Sequence, residues 1–105
     1  MKTLTIATLS LIASVGLAYA GAAEGKEVYT AKCAPCHGAN GEGKPAIAKM
    51  FSVTQKHLAS KEVQAKSDAD LKKIILEGTG KMKPVTGVTA KQADDVVAYV
   101  RTLKQ

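Results

Sequence analysis

Residues 33–37 read Cys33-Ala34-Pro35-Cys36-His37. The C-x-x-C-H spacing is one that attaches haem c. Two thiols three residues apart, near a helix end, reach the two vinyl groups on one edge of a porphyrin. The histidine that follows directly lies beneath the ring and gives its imidazole to the iron. Cys33 and Cys36 are therefore candidate attachment residues for one covalent haem c, and His37 is its candidate ligand. Three other chemistries use the same residue types. A disulfide between Cys33 and Cys36 closes a very short loop and stabilises little, since the benefit grows with loop length. A thiol-disulfide oxidoreductase also uses C-x-P-C, but in a βαβ context. A structural zinc site needs four ligands. Beyond the motif the chain offers only His57 and carboxylates, and no second C-x-x-C.

The chain that must position these residues has 105 residues, 15 Lys+Arg, 9 Asp+Glu and a net charge of +6. That length allows one small domain and excludes a doubly wound α/β fold, a TIM barrel or a two-domain enzyme. A hydrophobic content of 46% excludes a disordered tail. Part of that content lies at the N-terminus. Met1-Lys2-Thr3 is a basic start, Leu4 to Leu17 is an uncharged apolar run, and Ala18-Tyr19-Ala20 has small residues where a signal peptidase reads. The run has 14 residues, whereas a membrane span needs about 20. The reading is a signal peptide over 1–20, cleaved after Ala20 (Ala23 is the alternative), and export to the periplasm with no stable membrane insertion afterwards. The remaining domain, 21–105, loses Lys2 and keeps 14 basic and 9 acidic residues, a net +5. A domain of this size buries only about 60% of its unfolded surface. Such chains usually build a disulfide, a metal or a cofactor into the core.

Alternating strand patterns are absent, and the apolar residues fall at helical spacing, which predicts an all-α fold. Helix one is expected from Ala23 to Cys33, with Gly25, Val28, Tyr29 and Cys33 on one face and Glu24 and Glu27 in its first turn. Gly38 to Pro45 is a loop rich in Gly. Ile47 to Val53 is a candidate short helix. Ser67 is an expected N-cap, with Asp68 and Asp70 behind it. Leu71, Ile74, Ile75 and Leu76 form that helix's apolar face, and Gly78 ends it. A loop carrying Met82 and Pro84 follows. The last helix opens at Thr89 with Gln92 three residues on, a capping box, and Val88 as a hydrophobic staple. Asp94 and Asp95 lie early in it, where the dipole favours acids. Val96, Tyr99, Val100 and Leu103 form its buried stripe.

Taken together, Gly25-x-x-x-Tyr29, Cys33–His37, the Gly38-Ala39-Asn40-Gly41-Glu42-Gly43 loop, Lys81-Met82-Lys83-Pro84 and Val96–Leu103 resemble a small bacterial class I cytochrome c. The resemblance implies three main helices plus short helical turns packed around one covalent haem. It implies that Gly25 and Tyr29 meet Val96 and Tyr99 where the first and last helices cross. It implies a monohaem one-electron carrier, not an enzyme, that works with redox partner proteins. It also implies an axial Met in the loop before the last helix, and a proline carbonyl that accepts the second ring N–H of the ligating His. Those positions here are Met82 and Pro45.

The sixth ligand has three candidates on residue type. Met82 lies 45 residues beyond His37 in a Gly- and Pro-containing loop, with enough chain to reach the opposite haem face. Met50 lies 13 residues beyond His37 beside Ile47 and Phe51, and reads as core filler. His57, between Lys56 and Leu58, reads as a surface residue. One departure from the family pattern is that no aromatic follows Met82, which predicts a looser ligand loop. Lys26, Lys32, Lys44, Lys49, Lys56, Lys81 and Lys83 flank segments expected near the haem edge. They are either a solvated surface or a cationic ring that steers partners with acidic docking surfaces. Nucleic acid is a poor partner for an exported chain with so few aromatics. The domain is expected to be monomeric. The alternatives keep distinct requirements. A haem-based gas sensor or peroxidase-like enzyme needs an open or labile sixth position, and a thiol oxidoreductase needs cycling Cys33 and Cys36.

Overall fold

The computed structural model describes Thr3 and residues 17–105, with side chains described from Gly21 onward. The expected signal segment, 1–20, lies outside the described residues apart from Thr3 and the backbone of 17–20. Six helices follow in order: α1 Leu17–Lys32, α2 Ala34–His37, α3 Pro45–Phe51, α4 Lys61–Gln64, α5 Asp68–Glu77 and α6 Ala90–Val100. Among the described residues there is no strand, only an isolated bridge between Thr79 and Met82.

The caps form as their sequences require. The Ser67 hydroxyl accepts from the Asp70 N–H at 3.1 Å, and Asp68 and Asp70 occupy the first turn of α5. Gly78 ends that helix at φ +77°, a backbone region open to glycine at little cost. At the start of α6, Thr89 Oγ1 accepts from the Gln92 N–H at 3.1 Å and Gln92 Oε1 accepts from the Thr89 N–H at 2.9 Å. Each side chain satisfies an N–H that the helix itself leaves open.

The core sits where α1 crosses α6. At Gly25 a Cβ would stand 1.9 Å from the Asp95 carbonyl oxygen and 2.9 Å from the Val96 nitrogen, so the two backbones touch there. Tyr29, one turn on, is 1% exposed. Its ring lies 5.1 Å from that of Tyr99 at a 57° tilt, a favourable aromatic arrangement. Ala93, Val96, Val97 and Val100 from α6 and Leu71 and Ile75 from α5 complete the buried set. Arg101, at the end of α6, donates to the carbonyls of Gln64 at 2.9 Å and Lys66 at 2.6 Å and to Asp68 Oδ1 at 2.8 Å. That fastens the α4–α5 link to α6.

Three expectations are corrected, and one helix had no counterpart among them. Helix α1 starts at Leu17, before Ala23, because the stretch around Ala20, Ala22 and Ala23 favours helix. Glu24 and Glu27 therefore lie beyond its first turn. Neither Asp94 nor Asp95 serves the α6 dipole, since both lie beyond its first turn; Asp94 pairs with Lys72 at 3.1 Å. Asp95 is 7% exposed, faces Gly21 and Gly25 at the crossing, and pairs with Lys91 at 3.1 Å. Met50 is not core: it is 67% exposed. α3 has seven residues, under two turns, and buries Ile47 and Ala48 only in part. Helix α4 was not legible. Ser60 caps it by accepting from the Val63 N–H at 3.4 Å, and one buried Val gives no periodicity to read.

Two predictions follow from the crossing. Gly25→Ala forces a Cβ into the Asp95 carbonyl, which costs about 1–3 kcal/mol by overpacking. At about 4–8 °C per kcal/mol for a domain of this size, the melting temperature falls clearly. Gly80→Ala meets no atom within 4 Å and pays only the left-handed strain of φ +53°, about 1–2 kcal/mol. A Gly25→Ala melt no lower than wild type would contradict the crossing. Second, burial, aided by the fields of Cys33, Tyr99 and Glu42, pushes the Tyr29 phenol up to about 12. The unfolded chain loses that proton near pH 10. Tyr29's contribution to stability is intact below pH 10 and is lost as the pH rises from 10 towards 12. Urea midpoints should fall more steeply across that window in wild type than in Tyr29→Phe.

Candidate haem site

Cys33 follows α1 directly, with its N–H bonded to the Tyr29 carbonyl at 2.8 Å. The chain then turns once as α2, with Pro35 in the first turn, where a missing N–H costs nothing. The Cys33 carbonyl accepts from the Cys36 N–H at 3.1 Å and the His37 N–H at 2.9 Å, so the two cysteines and the histidine form one rigid turn. Gly38 leaves it at φ +82°. The Gly38 carbonyl accepts from the Tyr29 hydroxyl at 2.6 Å. The residue seated in the helix crossing thereby pins the backbone just after His37.

A cleft of about 610 Å³ opens beside this turn, within the range of cofactor pockets. Cys33, Cys36, His37 and Met82 all line it, with Ile47 and Phe51 from α3. It runs inward to an apolar recess walled by Tyr29, Leu71, Ile75, Val96 and Val100. Cys33, His37 and Met82 line both parts. The Met82 backbone is fixed by hydrogen bonds. Its N–H and carbonyl pair with Thr79 at 2.9 Å each, and the Val85 N–H reaches the Ile75 carbonyl at 2.9 Å. A Cβ on Gly78 would stand 2.5 Å from the Met82 carbonyl oxygen, so the loop lies flat against the end of α5.

The His37 ring carries the strongest mark of a missing partner. Its Nδ1 is buried and has no hydrogen bond among the described residues. His37 lines both the cleft and its apolar recess. Burial pushes the imidazole below its ordinary pKa, which keeps it neutral with a lone pair to give. The structure does not join Pro45 to it. Pro45 stands exposed at the first position of α3, where its fixed φ suits a helix start. His57 does not line the cleft, and its Nδ1 accepts locally from the Ala59 N–H at 3.0 Å. Of the seven lysines, Lys32, Lys56, Lys81 and Lys83 line the cleft, whereas Lys26, Lys44 and Lys49 do not. Lys56 is paired with Glu62.

The residues fit a covalently held haem. Two sulfurs, one ring nitrogen and one thioether converge on a largely apolar cleft. The competing chemistries fit less well. Cys33 is buried and its thiol is pushed up to about 11 by that burial, the reverse of an activated thiolate. Among the described residues no βαβ unit surrounds the motif. No group of three or more His, Cys, Asp or Glu residues gathers for a metal among the described residues. Sequence reasoning missed two residues of this site. One is Gln55, which bonds the Cys36 carbonyl from 19 residues away and has no local signal. The other is the Tyr29 hydroxyl, whose partner Gly38 lies across a turn that only the fold brings near.

Comparison with known proteins agrees with this geometry. The family model described as Cytochrome c matches residues 22–104. The chain is 36% identical over 88 residues to cytochrome c-554(547) of Halothiobacillus neapolitanus, covering 79% of this chain and 97% of that protein. The solved structure of the KustC0563 c-type cytochrome superposes with a TM-score of 0.65 at 28% identity, covering 77% of this chain and 98% of that one. With its all-α fold and its C-x-x-C-H turn opening on a cleft, the chain belongs to the cytochrome c family, haem proteins that carry electrons.

Proposed function

We propose that the chain is an exported, monomeric one-electron carrier with a single haem c bound through Cys33 and Cys36 and ligated by His37 and Met82. One observation carries the reading: four side chains from two distant segments line a single cleft. When bound, the haem supplies an iron that gains or loses one electron. The chain's residues do the rest. Cys33 and Cys36 tether the group, which a small exported domain cannot otherwise retain. His37 stays neutral by burial and offers Nε2. Met82 offers a soft thioether that suits both iron charge states. Tyr29, Leu71, Ile75 and Val96 keep water out, which favours the less charged reduced state and raises the potential. The ligand supports are hydrogen-bonded, by backbone at Met82 and by backbone with the Tyr29 hydroxyl and Gln55 amide around His37, so a change of charge asks for little movement.

A carrier needs one reachable edge and no open axial position, and Met82 in the cleft favours that over a gas sensor or peroxidase. The basic start, apolar run and Ala18-Tyr19-Ala20 support cleavage after Ala20 and work in the periplasm, as is typical of this family. Among the described residues no helix is long and apolar enough to cross a membrane. Lys32, Lys81 and Lys83 at the mouth suit a partner with an acidic docking surface.

Visible spectroscopy tests the ligand set. The ferric protein should show the weak far-red sulfur-to-iron band, Met82→Ala should lose it, and Met50→Ala should keep it. A band that survives Met82→Ala sinks the assignment. Ionic strength tests the rim. Electron exchange with an acidic partner should slow as the Debye length shrinks from about 30 Å at 0.01 M to about 8 Å at 0.15 M. Lys81→Glu and Lys83→Glu should flatten that dependence. A rate indifferent to salt leaves the lysines as ordinary surface.

A further inference from the structure

Helix α2 is a single turn, and so short a helix leaves its carbonyls to outside partners. The Ala34 carbonyl accepts from the Gly38 N–H at 2.8 Å and the His37 carbonyl from the Gly43 N–H at 2.6 Å. The Cys36 carbonyl is taken by a side chain: Gln55 Nε2 donates to it at 2.8 Å. The same amide turns its Oε1 to the Lys44 N–H, also at 2.8 Å. The 43–44 backbone thus holds the carbonyls of two adjacent motif residues, His37 directly and Cys36 through Gln55. Gly43 is shaped for this, since it sits at φ +83° and a Cβ there would stand 2.9 Å from Gln55 Oε1. Gln55 also lines the cleft.

We infer that Gln55 is a positioning residue for His37: by holding the Cys36 carbonyl it fixes the attachment turn, and with it the plane of the imidazole. The inference rests on the haem reading above. The geometry calls for an amide of this length. Glutamate keeps the acceptor for Lys44 but has no N–H for Cys36. Methionine keeps the length and has neither. Asparagine is one methylene short. A residue that merely pegged the 43–44 loop would need only the Lys44 bond.

The split between those two bonds is the test. The mature holoprotein would be compared as wild type, Gln55→Met and Gln55→Glu. The readouts are the hyperfine-shifted haem methyl resonances of the ferric form, which report axial ligand orientation, and the reduction equilibrium constant against a redox dye. Both variants should change the methyl pattern. Gln55→Met should also shift the equilibrium constant by about threefold, as the freed turn alters the seating of the axial imidazole. A wild-type methyl pattern and equilibrium constant in Gln55→Met, whatever its melting temperature, overturns the inference. So does a wild-type pattern in Gln55→Glu alone, which would assign the effect to the Lys44 bond. Wild-type protein without hyperfine-shifted methyls would sink the haem reading, and this inference with it.

Discussion

The contact between the α1 and α6 backbones at Gly25 is the constraint from which the haem site is built. Without a side chain at residue 25, the Asp95 carbonyl lies against the Gly25 Cα. That closeness brings Tyr29 down onto α6, where it is sealed beside Tyr99. The Tyr29 hydroxyl then faces away from the crossing and takes the Gly38 carbonyl at 2.6 Å. The position of His37 is thus inherited, through one aromatic ring and one hydrogen bond, from a helix contact on the far side of that ring. A buried hydroxyl must find a partner or cost roughly 1–3 kcal/mol. The chain meets that requirement with the backbone that most needs holding.

The same geometry accounts for a core that looks incomplete for its size. Leu71, Ile75, Val96 and Val100 are buried and also wall the apolar recess that adjoins the cleft. In a domain that cannot bury enough apolar surface by itself, those walls are where a haem of this family would complete the interior. The apolar wall and the candidate site are therefore one feature. The residues that would stabilise a loaded fold are the ones that would set the environment of the iron.

Much of this was legible in sequence, for a reason that differs by element. The two long caps, at Ser67 and Thr89, are decided by neighbours within three residues, so local pattern is enough. The C-x-x-C-H turn is legible because its chemistry fixes its spacing. The crossing became legible only through resemblance, since one Gly in a helix says nothing of what passes over it. What escaped was decided by distance or by short length. Met50 has apolar neighbours that suggest core, but a seven-residue helix has one inner side and Met50 is not on it. The role given to Pro45 was carried by resemblance, and the structure leaves His37 Nδ1 alone. Gln55 reaches across 19 residues to Cys36, and no local pattern encodes that.

The Met82 loop shows how a sequence-level deficit is met by another level of structure. Met82 is followed by Lys83, Pro84 and Val85, with no aromatic to pack the loop, and on side chains alone the segment reads as loose. Its order comes from the main chain. Thr79 and Met82 exchange both hydrogen bonds, the turn between them uses Gly80 at φ +53°, and Val85 is tied back to Ile75. Gly78 lets the Met82 carbonyl lie where a Cβ would otherwise stand. A side chain packed over the loop would restrain it by contact area, which yields gradually. Paired backbone bonds restrain it by direction, and they fix where the Met82 Cα sits. The thioether keeps its own rotamers, while its backbone anchor is held by paired hydrogen bonds. For the ligand role proposed for Met82, a held anchor and a pliant arm are the useful combination. Two glycines and three hydrogen bonds are enough to make it.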